Sequence, residues 1–183
     1  MNIFCIEGEG EIIDWVKSAQ SLDNYRVVKM LVETTQLLCC ALNEQGIETP
    51  YKTRHHNPQA VSAWVMASSA NWMNLYYHAI AMLAEYRRRF GPKPFRSDEV
   101  LHTVFQLFDP KRFPSQKPTP VMLAMPDEFK DPKNPVQSYR RFYATKPNMR
   151  YPADKIPSWF LELRGDIPFE VVNDNVRNRP VLS

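Results

Sequence analysis

The sequence predicts a mainly α-helical single domain, a helical bundle around one long central helix with a proline-rich wrap. Three observations carry that prediction. The stretch DNYRVVKMLVETTQLLCCAL, Asp23 to Leu42, keeps a helical period that aligns Val28, Leu31, Thr35, Leu38 and Leu42 on one face. A second period, through Trp64, Ser68, Trp72, Leu75, Ala79, Met82, Tyr86 and Phe90, predicts a long helix over Gln59 to Phe90, the spine of the domain. Sixteen prolines, clustered after Gly91, exclude continuous helix from much of the remainder.

In chain order, residues 2–6 (NIFCI) are compatible with a short N-terminal strand, and Ile12, Ile13, Trp15, Val16 and Ala19 suit a first short helix. Asp23 is placed to cap the next helix and Gly46 to stop it. Past the long helix, Gly91-Pro92 forces a sharp end, and Ser97-Asp98-Glu99-Val100 opens another helix to about Phe108. The segment from Asp109 to Pro135 alternates prolines with Phe, Val, Met and Leu, the pattern of an ordered wrap. Pro135 suits the first turn of a helix through PVQSYRRFYAT, and a last helical turn lies in IPSWFLELR. Residues 1–165 are read as one helical domain and 166–183 as a weakly specified tail.

Charge and motifs narrow the function. A net charge of +3 permits nucleic-acid binding without demanding it, so clustering decides. Arg87, Arg88 and Arg89 form one cluster; Arg140, Arg141 and Lys146 form another among aromatics. No run of about 18 apolar residues is present and no secretory signal opens the chain, so a cytoplasmic protein without membrane association is expected. Cys5, Cys39 and Cys40 have no metal-binding spacing and read as reduced core residues; no metal or cofactor is expected. The chain has no glycine-rich phosphate loop, no GxSxG, no HExxH and no deaminase zinc pattern.

The helix from Asp23 has inverted proportions. Arg26, Lys29, Glu33 and Gln36 fall in one narrow polar stripe flanked by Met30 and Leu37 on one side and Val32 and Cys39 on the other. Lys29 and Glu33, four apart, can meet on one face. An exposed ion pair is one reading. The flanking apolar residues support another, in which the helix is covered and its charges are paired or useful. A carboxylate beside a lysine can act as general base or electrostatic stabiliser, and a desolvated lysine as nucleophile.

Three further constellations stand out. Arg54-His55-His56-Asn57-Pro58 offers His and Asn for contacts to a phosphate or base edge, its adjacent histidines being a poor metal signal. Glu85-Tyr86-Arg87-Arg88-Arg89 suits both a helix C-terminus and a phosphate contact. In Tyr139-Arg140-Arg141-Phe142-Tyr143 the aromatics suit the core, leaving the arginines available.

Several stretches together resemble a group of small tailed-phage proteins that are themselves similar to pyrimidine-dimer DNA glycosylases. They are Asp23-Asn24, Arg26, Lys29-Met30, Glu33-Thr34 and Gln36, then Tyr51-Lys52, His55, Asn57, Trp64, Ser68, Asn71, Glu85-Tyr86 and Arg89, with AMPDEFKDP and KIPSWF further on. The resemblance covers most of residues 1–160. It implies an enzyme on DNA bases, active in the cytoplasm of a phage-infected bacterium. Two departures bear on roles. Asn57 is followed directly by Pro58, where the group carries His-Pro. Residue 2 is Asn, too bulky for ready removal of Met1, so the N-terminal amine of the pyrimidine-dimer enzymes is not expected in the same form.

The resulting expectation is a glycosylase-like protein on damaged or modified pyrimidines. Glu33, Lys29 and His55 are the catalytic candidates; Asn24, Arg26, Gln36, Asn57, Trp64, Asn71, Arg88 and Arg89 are the substrate-binding candidates. DNA or a nucleotide is the expected partner. The alternatives are a nucleotide- or base-modifying enzyme of DNA hypermodification and a non-catalytic phage accessory protein binding DNA or a host partner.

Overall fold

The computed structural model describes residues 2–52 and 61–172, and these form a mainly helical fold. Seven α-helices are found among the described residues: α1 (Trp15–Gln20), α2 (Asn24–Asn43), α3 (Val61–Met66), α4 (Ser69–Phe90), α5 (Arg96–Leu107), α6 (Pro135–Ala144) and α7 (Ser158–Arg164). Two small sheets accompany them. β1 (Gly8–Glu9) and β2 (Ile12–Ile13) make an antiparallel hairpin, and β3 (Arg150–Pro152) pairs in parallel with β4 (Glu170–Val172). The pairing ties the segment after α7 back onto the fold, with Phe169 packed edge-on to Phe160.

Helix α4 packs against both α1 and α2, and α5 closes on α2 and α4. Leu31, Leu38 and Leu42 from α2 and Trp72, Leu75 and Met82 from α4 are among the fully enclosed core residues. Trp72 also donates its indole N–H to the Leu38 carbonyl at 3.2 Å, so the two main helices share a polar contact inside the apolar core.

Residues 2–6 form no strand. Ile3, Phe4, Cys5 and Ile6 are buried, but Phe4 turns to φ 29°, out of the extended region. The Asn2 side chain accepts from the Ile3 and Phe4 amides at 2.8 and 3.2 Å, supplying locally the partners a neighbouring strand would have given. The first helix begins at Trp15 rather than Ile12, because Ile12 and Ile13 pair in the hairpin and Asp14 caps α1 by accepting from the Lys17 amide. That hairpin needs Gly8: at φ 128° a Cβ there would stand 2.0 Å from the Ile12 carbonyl oxygen.

The expected spine helix is two helices. Ser68 takes an extended conformation between them and its Oγ accepts from the Ala70 and Asn71 amides, starting α4 afresh. Asp23 caps α2 as its sequence position predicts, α4 ends at Gly91 (φ 83°), and Asn134 with Pro135 opens α6. Between α5 and α6 the proline-rich wrap carries 3₁₀ turns at Pro110–Arg112 and Asp127–Phe129. Its residues Val121, Met122, Leu123 and Ala124 pack on the core, with Met125 buried in it.

Candidate functional site

The polar stripe of α2 divides according to what covers each turn. Arg26 points inward. Its guanidinium meets Asp23 at 2.8 Å and the Pro147 carbonyl at 3.2 Å, over the face of Tyr143. Burial alone would weaken its charge; Asp23, itself fully enclosed and held by the Tyr143 hydroxyl at 2.7 Å, more than offsets that. Gln36 lies at the other end of the stripe and is exposed. Lys29 and Glu33 remain between them.

Glu33 is held on both sides. One carboxylate oxygen accepts the backbone N–H of Asn2 at 3.2 Å, and the other lies 3.6 Å from Lys29 Nζ. Its side chain is 20% exposed and that of Lys29 46%. Asn2 in turn donates from its amide to the Ala124 carbonyl at 2.7 Å, so the N-terminal segment clamps the wrap beside α2. Between these parts opens a cleft of about 240 Å³, lined by Asn2, Tyr25, Arg26, Lys29, Glu33 and Lys146 together with Phe4 and Met30.

Lys146 comes from the turn after α6. Its Nζ lies 3.4 Å from the centroid of the Phe142 ring and 5.9 Å from that of Phe4. Burial, and then the charges of Arg26 and Lys29, press its ammonium below the ordinary lysine range. The cleft therefore presents one carboxylate and two lysines, a set able to bind an anion, stabilise a developing cation or supply an amine.

The remaining candidates lie elsewhere. The Arg89 side chain is 1% exposed, and its donors are taken by Glu85, by the Leu22 and Gln20 carbonyls and by Asn24. Arg88 bonds the same Glu85, and Arg87 pairs with Asp98. Burial acts to raise the Glu85 carboxyl, but the bonds and charges of Arg88 and Arg89 outweigh it and hold it below the usual glutamate range. Asn24 and Arg89 thus belong to an enclosed ion-pair knot where α4 ends against the start of α2, and Arg88, its side chain 41% exposed, joins that knot from the outside.

Asn71 is buried and bridges three groups. It donates to the Trp64 carbonyl and to Thr119 Oγ1, and accepts from the Thr119 amide. Trp64 stacks on Trp15 at 5.7 Å and lines a second cavity of about 680 Å³ with Asn74, Thr119 and Met122. Neither Trp64 nor Asn71 lines the Glu33 cleft. His55 and Asn57 lie outside the described residues. Among the described residues no group of three His, Cys, Asp or Glu side chains is placed to hold a metal ion, and no helix is long and apolar enough to cross a membrane.

Comparison with protein-family models, curated proteins and solved structures found no match, so the functional reading rests on the site's own chemistry. Sequence reasoning missed Asn2 and Lys146 as members of the cleft. The signal for Lys146 was its place beside Tyr139-Arg140-Arg141-Phe142; nothing local linked that stretch to position 33.

Proposed function

We propose that the protein is a DNA glycosylase-like enzyme of tailed-phage type, acting on damaged or modified pyrimidine bases. The observation that carries this reading is the position of Glu33, fixed by the Asn2 amide and Lys29 in a cleft that also holds a partly buried second lysine. Cleavage of a base–sugar bond builds positive charge on the sugar, which a fixed carboxylate stabilises, and it is assisted by an amine or an activated water. The positive charge of the lysines favours binding beside a phosphate, Glu33 faces the sugar, and either lysine can supply the amine.

The test is incubation with ultraviolet-damaged, uracil-containing and hypermodified duplexes, followed by measurement of base release, strand cleavage and borohydride-trapped adducts. Glu33→Gln should slow base release about 10²–10⁴-fold, the usual contribution of a positioned acid–base group. Absence of released base, cleavage and adduct on every duplex would overturn the reading.

The arrangement of the arginines favours a second reading, a nucleotide- or base-modifying enzyme. Arg87, Arg88 and Arg89 each engage a carboxylate, which suits a small phosphorylated substrate in the 240 Å³ cleft better than a long duplex track. In that case binding of a mononucleotide would match that of an oligonucleotide, with a shallow salt dependence.

A further inference from the structure

An amine that attacks carbon must offer a lone pair, and the two lysines of the cleft differ in this respect. Lys29 is ion-paired with Glu33 and nearly half exposed. Lys146 has no carboxylate partner among the described residues; its Nζ rests on the Phe142 ring instead, a weaker hold on its charge than a carboxylate's. Its backbone is also fixed from both sides. The buried Arg164 donates to the Ala144 and Lys146 carbonyls, the latter at 2.7 Å, and the buried Arg26 donates to the Pro147 carbonyl. Two enclosed guanidinium groups therefore hold a four-residue turn whose one side chain in the cleft is Lys146. Such support is what a reactive group needs to keep a single productive geometry.

We propose that Lys146, rather than Lys29, is the nucleophilic amine of the cleft, with Lys29 serving to orient Glu33 and Arg26 and Arg164 to position the lysine. The identity of its target, C1′ of a deoxyribose, rests on the glycosylase reading. The lone pair of neutral Nζ forms a bond to C1′ as the bond from C1′ to the base breaks, its electron pair leaving with the base. The attacking nitrogen gives a proton to Glu33, which passes it to the departing base. Opening of the sugar at O4′ takes up one proton from solvent and leaves a protonated imine. Water then hydrolyses the imine, returning the amine, the proton and an abasic sugar. The lowered basicity of Lys146 increases the share of neutral amine available for the first step.

Two measurements on the full chain test the assignment. Limiting pyridoxal 5′-phosphate followed by borohydride, with peptide mapping, should label Lys146 at least about tenfold ahead of Lys29, as expected for a desolvated lysine. Preferential labelling of Lys29, or even labelling of all lysines, would overturn the proposal whether or not any variant folds. With an abasic-site duplex and borohydride, the adduct should map to Lys146, disappear in Lys146→Arg and persist in Lys29→Arg. An adduct on Lys29 or on the amino terminus overturns the assignment while leaving the glycosylase reading in place. Selective Lys146 labelling with no DNA adduct overturns attack of Lys146 at C1′, and the glycosylase reading falls with it only where base release and strand cleavage are absent as well.

Discussion

Thr34 and Thr35, adjacent on α2, are both fully enclosed, yet only one satisfies its hydroxyl. Thr35 donates to the Leu31 carbonyl one turn back at 2.7 Å, whereas Thr34 Oγ1 meets no hydrogen-bond partner among the described residues. A buried hydroxyl without a partner loses its hydration for nothing, while Val keeps its shape without that loss. Thr34→Val should therefore raise stability by about 1 kcal/mol in urea titration, and Thr35→Val should not. A loss at position 34 would mean the hydroxyl is held by something beyond the described residues. Glu85 presents the opposite case, a nearly enclosed carboxylate serving Arg88 and Arg89. Glu85→Ala leaves Arg89 buried and short of its counter-charge, and should cost roughly 3–5 kcal/mol. A cost below about 1 kcal/mol, typical of a surface pair, would show that the knot is solvated.

At the scale of elements, the break between α3 and α4 is where sequence and structure part most clearly. Trp64, Ser68, Trp72 and Leu75 keep a helical period across the junction, because both helices bury the same side against the core. Periodicity reports which side is buried and is blind to a single extended residue that preserves it. What interrupts the helix is Ser68 capping α4 and Asn71 joining the Trp64 carbonyl to Thr119, a residue 48 positions away in the wrap. Caps formed by neighbours in sequence were legible, as at Asp23, Gly91 and Pro135. The cleft was legible only as far as one helix reaches: Lys29 and Glu33 followed from their spacing, while Asn2 and Lys146 arrive through tertiary packing. The direction of Arg26 was hidden for the same reason, its carbonyl partner lying at Pro147. At the junction, Ser68→Ala should cost about 1 kcal/mol, the value of a cap. Asn71→Ala should cost roughly 2–3 kcal/mol, since it strands the Thr119 amide and leaves the Trp64 carbonyl with only the Ala67 amide. Equal costs in thermal or urea unfolding would show that the wrap does not depend on this bridge.

For the whole molecule, the contact between α1 and α4 links folding to acidity. His78 lies on α4, fully enclosed and edge-on to Trp15 at 5.8 Å, with Nδ1 2.7 Å from the Trp15 carbonyl oxygen. A carbonyl only accepts, so Nδ1 carries the proton of a neutral imidazole. Burial lowers its pKa to about 4, against the backbone groups of Trp15 and Ile3, which favour the cation. The unfolded chain takes up this proton near pH 6.5, whereas the folded chain refuses it until about pH 4, so stability falls as pH drops through that window. The loss approaches about 3 kcal/mol at the bottom of the window. Glu85 acts in the same direction from about pH 4.5 downward, since its folded carboxyl is held under the ordinary glutamate range. Urea midpoints measured from pH 7.5 to 4.5 should therefore decline, and His78→Gln, which has no proton to gain there, should flatten the decline whatever its own cost at neutral pH. An unchanged slope in that variant would move the acid sensitivity to other groups. A flattened slope would identify one imidazole, at the packing of α1 on α4, as the main coupling between proton uptake and unfolding above pH 4.5.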